Sequence, residues 1–335
     1  MFSNTATQDS SLEESDLDKK ISLKSSKWKD LFNSSLVASA LVLLIIVFSL
    51  ASPYFLSSNN AYHIIQQVAV VAVLAVGQTY VIITAGIDLS QGAVVGLSGV
   101  VGALLMQHNS IEVAIAAGLA VGLVVGALNG FLITIAKLPP FIATLATLSI
   151  GGGVALILTN GQPVFNIPSS FVNFGSGGIG IFPYIAIVML ALAVLFQVVL
   201  SYTRFGRFTY AVGSNIVAAR LSGLKVGRQL FFVYLISGFM SAVGGLLLTG
   251  YVASALPSAG SNYELESIAA VVIGGGSLFG GEGTVWGSIV GALLLATLSN
   301  GTQLLGISTY VQVILLGLVV ILAVYFDNFR RRKGV

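Results

Sequence analysis

The sequence contains no cysteine, only 7 prolines, and charged residues at just 8% of its 335 positions. Without cysteine there is no disulfide framework, no thiol nucleophile and no Cys-based metal site. A soluble domain carries about 25% charged residues. The scarcity of charge, with 56% hydrophobic residues and a mean hydropathy of +0.97, identifies a membrane protein. No Asp, Glu, Lys or Arg occurs from Leu138 to Thr203, nor from Gly283 to Phe326. Each tract exceeds the roughly 20 apolar residues that cross a bilayer, so each holds more than one span. Nothing resembles a cleaved signal peptide, because the first apolar run follows a long polar segment. There is no HExxH and no cluster of intramembrane carboxylates. A proton- or sodium-driven carrier usually places several acids in its core, so the energy for any transport comes from elsewhere.

Apolar runs predict spans at about 34–52, 62–83, 91–107, 112–134, 140–159, 181–200, 230–250, 266–281, 284–300 and 309–326. The expected fold is an all-α integral membrane protein of about ten transmembrane helices, some broken or short. With ten crossings and both termini cytoplasmic, all 15 Lys and Arg fall on the inner side. Losing one crossing would strand several of them outside, so the positive-inside bias supports an even count. The prolines all fall at or between span ends, where a missing N–H does least harm. Residues 1–30 are polar, acids first and lysines after, and read as a disordered cytoplasmic tail. Residues 31–328 form the membrane domain, and 329–335 a second basic cytoplasmic tail.

Within the spans, Gly118, Gly122, Gly126 and Gly130 repeat every four residues, a row that lets another helix approach closely. A faint echo links GAVVGLSGVVGALL (92–105) with GTVWGSIVGALLL (283–295), which fits either an internal repeat or two glycine-rich spans of small alphabet. Asp88, in AGIDLSQG, sits between two spans and reads first as a helix cap, with gating as the other role. The stretch ELESIAAVVIGGGSLFGGEGTVWG (264–287) packs Gly274, Gly275, Gly276, Gly280 and Gly281 around Glu282. It lacks the lysine of a phosphate-binding loop, and no G-K pair occurs anywhere in the chain, so no Walker A motif exists here. Two readings remain for it: a helix broken beside a polar path, or a plain breaker between two short spans.

Several motifs together resemble the sugar permeases of bacterial ATP-binding-cassette importers, the ribose-type branch most closely. They are AGIDLSQG (85–92), NGFLITIAKLPPFIATLATLSIGGGVALILTNGQPV (129–164), GSNIVAARLSGLKVG (213–227) and GSNYELESIAAVVIGGGSLFGGEGTVWGSIVGALL (260–294). The resemblance implies a pair of such chains in the bacterial inner membrane, the same chain twice in preference to two different ones. It also implies ATPase subunits on the cytoplasmic face and a soluble sugar-binding protein outside. The chain would then bind no cofactor, with ATP and magnesium used by the ATPase, and would not be an enzyme or touch nucleic acid. The loop 201–229 would be the coupling element, with Arg204, Gly206, Arg207, Asn215, Ala218, Arg220, Ser222 and Gly223 facing the ATPase. A short helix near Asn215–Leu221, ended by Gly223, is expected inside it. Related permeases usually carry a glutamate ahead of the paired alanines, where this chain has Ile216 and Val217. For the substrate path the matched spans offer Gln78, Asn129, Phe141, Thr144 and Asn300, though polar side chains in a bilayer equally serve as interhelical glue. The rival readings are a branched-chain amino-acid permease and a facilitator that needs no ATPase.

Overall fold

The computed structural model describes residues 37–332. The expected tail 1–30 and the last three residues lie outside the described residues. The helices are α1 (Val37–Ala51), α2 (Ser58–Ile83), α3 (Gln91–Met106), α4 (Ile111–Thr134), α5 (Pro140–Thr159), α6 (Ser169–Ser176) and α7 (Tyr184–Tyr202). They continue with α8 (Arg204–Ser214), α9 (Ile216–Leu221), α10 (Val226–Val252), α11 (Tyr263–Ile273), α12 (Val285–Leu304) and α13 (Thr309–Arg332). A small antiparallel hairpin, β1 (Gly178–Ile179) and β2 (Phe182–Pro183), precedes α7. Among the described residues, 7 helices are long and apolar enough to cross a membrane: α2, α4, α5, α7, α10, α12 and α13. The chain is therefore an all-α membrane protein.

Local chemistry sets many of the ends. Ser57 caps α2 by accepting from the Asn60 N–H, and Thr284 caps α12 by accepting from the Gly287 N–H. Pro140 opens α5, where its missing N–H would have had no partner. Helix α2 is central and buried without interruption from Val68 to Ile83. Helices α10, α12, α11 and α7 pack around it, while α13 leaves Ile314, Leu318, Ile321 and Leu322 exposed on the outside.

The predicted glycine row on α4 packs closely against α10. Gly118 faces Leu246, Gly122 faces Gly238 and Ala242, Gly126 faces Tyr234 and Leu235, and Gly130 faces Phe231. The numbering runs in opposite senses, so α4 and α10 are antiparallel. A Cβ on Gly122 would overlap the Gly238 carbonyl oxygen, which is backbone and cannot swing aside.

Two long helices end in the same way. α2 and α10 are each followed by an alanine in the left-handed region, Ala85 at φ 58° and Ala253 at φ 59°. A non-helical return segment follows each, 84–90 and 253–262, and then a short helix, α3 or α11. The packing repeats with them: α4 lies on α3 and α10 as α12 lies on α11 and α2. Because α2 and α10 are antiparallel, with Gly77 at Ser237 and Gly86 at Tyr234, the two units are inverted relative to each other. The sequence echo instead pairs α3 with the start of α12, so it does not mark this repeat.

One boundary differs from the sequence expectation. The eighth predicted span, about 266–281, is a helix of 11 residues that stops at Ile273. Gly275 adopts φ 93°, and Gly280 and Gly281 adopt φ 84° and 80°, which closes a hairpin between α11 and α12 instead of continuing the helix.

Candidate translocation and coupling sites

The first return segment carries Asp88 into the interior, where it is fully buried. Its Oδ1 accepts from the Ser90 N–H at 2.9 Å and the Ser90 hydroxyl at 2.6 Å, and its Oδ2 accepts from the Ser237 hydroxyl on α10 at 2.6 Å. The sequence expectation of a helix cap at Asp88 is not met: the N-cap position of α3 is Ser90, without a side-chain cap bond. The Ser90 contacts close a local turn ahead of the helix, whereas the Ser237 bond is not local. From these two serines the network spreads. Asn129 of α4 donates to Ser90 Oγ at 2.8 Å and accepts from Thr147 of α5 at 2.7 Å. Gln91, the first residue of α3, donates to Ser237 Oγ at 3.0 Å and to the Leu74 carbonyl of α2 at 3.2 Å. Ser267 of α11 donates to Gln91 Oε1 at 2.6 Å. One connected set of side chains thus ties the first break to α2, α4, α5, α10 and α11. A buried polar side chain is costly unless hydrogen-bonded, and the three bonds from Ser90 and Ser237 satisfy the Asp88 carboxyl.

The sequence candidates for a path separate into distinct places. Asn129 joins the Asp88 network, and Thr144 donates to the Ile87 carbonyl of the same segment at 3.2 Å. Asn300 forms a reciprocal amide pair with Asn60, at 2.8 and 2.9 Å, away from that network. Phe141 is 50% exposed on α5. Gln78 is fully buried in α2, and neither atom of its amide has a hydrogen-bond partner. Gln91, Ser237, Ser267 and Thr147 are network members that the sequence reading did not single out. Gln91, Thr147 and Ser267 each lie within a motif quoted above, and only Ser237 lies outside them. The serines are small, sit in apolar helices, and meet partners more than 100 residues away in the chain.

Beside the second break lies a cavity of about 190 Å³. It is bounded by Gly96 and Gly99 of α3, Gly245 and Thr249 of α10, and Leu256 and Tyr263 around the return segment. That segment is pinned on its other side by Val164, which exchanges both backbone hydrogen bonds with Ala255 at 2.8 and 3.0 Å. Among the described residues no three His, Cys, Asp or Glu side chains converge in a way that would hold a metal.

The glycine hairpin 274–284 docks against neighbouring backbone. Gly274 and Gly287 press on each other's backbone, the Gly281 N–H donates to the Ile83 carbonyl at 2.8 Å, and the Tyr210 hydroxyl donates to the Gly283 carbonyl at 2.6 Å. Asp327 of α13 accepts from the Ser277 hydroxyl at 3.2 Å and from the Leu278 N–H at 3.1 Å. Gly276 is buried and Glu282 exposed.

The loop 201–229 folds into α8, α9 and the start of α10. Asn215 caps α9 by accepting from the Val217 and Ala218 N–H groups, both at 3.0 Å. At the other end Gly223, at φ 82°, lets its N–H reach the Arg220 carbonyl and the Leu224 N–H reach the Ala219 carbonyl. That pair of bonds is a Schellman closure. Arg204, Arg207, Asn215, Ala218, Arg220, Ser222 and Gly223 are exposed, whereas Gly206 is buried under the end of α7. Val217 and Leu221 of α9 are 62% and 85% exposed, and Arg220 stands in its last turn.

Residues 60–324 match the family described as branched-chain amino acid transport system / permease component. The chain is 42% identical over 291 residues to the ribose import permease protein RbsC of Bacillus subtilis (strain 168), covering 86% of this chain and 90% of that protein. It is 41% identical over 295 residues to the same-named protein of Escherichia coli (strain K12), covering 86% and 92%. To the D-allose transport system permease protein AlsC of the same organism it is 36% identical over 291 residues, covering 86% and 89%. No solved structure matches the chain. The match runs through both breaks, the glycine hairpin and the α8–α9 element, so this chain belongs to the transport-system permease family and is a transport component, not an enzyme.

Proposed function

We propose that this chain is the membrane-spanning subunit of an ATP-driven importer for a monosaccharide, ribose or a similar sugar, in the bacterial inner membrane. The observation that carries the reading is the near full-length likeness to ribose import permeases. The amino-acid reading draws only on the wording of the family description, while the curated relatives named above are sugar permeases. In this reading the chain crosses the membrane ten times, α1, α3 and α11 being the short members beside the 7 long helices, with both termini cytoplasmic. All 15 Lys and Arg then lie inside. A second copy of the chain completes the path, a soluble binding protein delivers sugar, and separate ATPase subunits consume ATP and magnesium.

Arg204, Gly206, Arg207, Asn215, Ala218, Arg220, Ser222 and Gly223 form or position the surface that meets the ATPase. The capped α9, with Val217 and Leu221 exposed and Arg220 in its last turn, supports this. Gln78, Asn129, Phe141, Thr144 and Asn300 are the path candidates, of which Gln78 is the best supported. A buried amide without partners is costly to keep, and a polar ligand that arrives in another state of the cycle gives a reason to keep it. Asp88 and the glycine hairpin, with Glu282 on its returning limb, form the gate region. The test is to purify the chain gently from its native membrane and identify what accompanies it. A co-purifying protein with Walker motifs, whose ATPase rate rises with sugar-loaded binding protein, supports the importer. A chain that purifies alone and passes sugar without ATP overturns it.

A further inference from the structure

An importer needs the ATPase-facing element to act on the membrane interior, and the structure holds one continuous connection between them. On α8, the Tyr210 hydroxyl bonds the Gly283 carbonyl at 2.6 Å, and Gly213 lies against Ile83 O and the Gly281 nitrogen. Gly281 in turn bonds Ile83 O at 2.8 Å, at the last residue of α2. A Cβ on Gly280 would meet Gly213 O at 2.8 Å and Ala85 Cβ at 2.9 Å, so the hairpin is wedged between α8 and the left-handed alanine that opens the first break. Five positions beyond Ile83 stands Asp88, the hub of the network that reaches α4, α10 and α11. Most of these contacts are backbone on backbone. Close-packed backbone passes a displacement on, because no side chain is there to absorb it by changing rotamer. The other flank of the hairpin is held by Asp327 through Ser277 and Leu278, which gives it a fixed side to turn against.

We propose that the hairpin 274–284 is the joint that carries movement of α8–α9 to the break after α2, with Tyr210 as the residue that positions it. This rests on the importer reading. Contiguity alone does not establish coupling, so the test perturbs one bond and reads both ends. It uses the complete importer in lipid nanodiscs, with this chain, its ATPase, its binding protein and D-ribose as the probe sugar. Tyr210→Phe removes the hydroxyl and keeps the ring, and Tyr202→Phe, at a residue 79% exposed, is the matched control. The far end is read by Ala85→Cys, a unique label because the chain has no cysteine.

In Tyr210→Phe the basal ATPase rate and the yield of assembled complex stay at the wild-type level. Stimulation by ribose-loaded binding protein falls about tenfold, within the range of ordinary allosteric couplings. The control keeps its stimulation. The alkylation rate of the Ala85→Cys label changes between nucleotide-free and ATP-vanadate states, and Tyr210→Phe abolishes that change. A purely structural defect would lower assembly instead. Stimulation in Tyr210→Phe within about twofold of wild type overturns the proposal. So does a label that ignores nucleotide in the otherwise wild-type complex, whatever Tyr210→Phe does to assembly. A wild-type complex whose ATPase ignores the loaded binding protein overturns the importer reading and this proposal with it, and is told apart because the wild type itself fails.

Discussion

Asp88 and Gln78 are both buried polar residues in an apolar interior, yet their surroundings demand opposite outcomes. Asp88 accepts three hydrogen bonds from Ser90 and Ser237, so Asp88→Ala leaves three donors without an acceptor. Its expected cost is about 2–4 kcal/mol of stability, read as earlier thermal aggregation of the detergent-solubilised chain. A variant that melts with the wild type would show that the network does not hold the break. Gln78 has no partner to lose, so Gln78→Leu is expected to stabilise the chain by about 1–2 kcal/mol. If Gln78 lines the path, the same change lowers sugar transport while raising stability. A stabilised variant with full transport makes Gln78 a packing residue. Sequence reading found Asp88 and Asn129 because acids and amides are conspicuous in apolar runs, and Thr144 as a polar position in a span that the resemblance matched. It passed over Ser237 and Ser267 because their meaning lies in partners from remote parts of the chain, and spacing cannot show that.

At the scale of elements, the close-packing face of α4 was legible from local pattern, though not its partner α10, and α9 from its cap signals within the loop that the resemblance marked. Four-residue glycine spacing marks one face of a helix, and that face is where α10 lies. Gly122→Leu drives a side chain into Gly238 backbone and is expected to cost about 3 kcal/mol or more, seen as loss of monodisperse protein on size exclusion. Gly152 of α5 has nothing within 4 Å of its would-be Cβ, so Gly152→Ala should be neutral or gain up to about 1 kcal/mol. Equal effects at the two positions would contradict the packing. For α9, Asn215→Ala removes the cap shared by Val217 and Ala218 and should weaken ATPase association by about 1 kcal/mol, while Asn215→Asp restores it. Pull-down of the ATPase measures both, and no difference between the variants would separate α9 from the interface. The return segments were less legible. The stretch 253–262 reads as an ordinary connection, and only its packing along α3, with Pro257 at Gly96 and Gly260 at Gly92, reveals a segment that turns back into the bundle.

Across the whole molecule, two inverted units interleave, so that each short helix is enclosed by a long helix of the other unit. Their breaks are built differently. The break after α2 is filled by the Asp88 network, and the one after α10 borders a cavity of about 190 Å³. Composition made the membrane class legible, because a chain of 335 residues with so little charge has too little polar surface to face water on all sides. The inverted relation of the units was not legible, since it is carried by backbone conformation at Ala85 and Ala253 and not by repeated residues. The central claim is ATP-driven import, and it is tested most directly by D-ribose uptake into proteoliposomes holding the complete importer. Radiolabelled sugar should accumulate above its external concentration only when ATP, the ATPase and the binding protein are all present. Equilibration of sugar across the membrane without ATP, at an unchanged rate, would contradict the account.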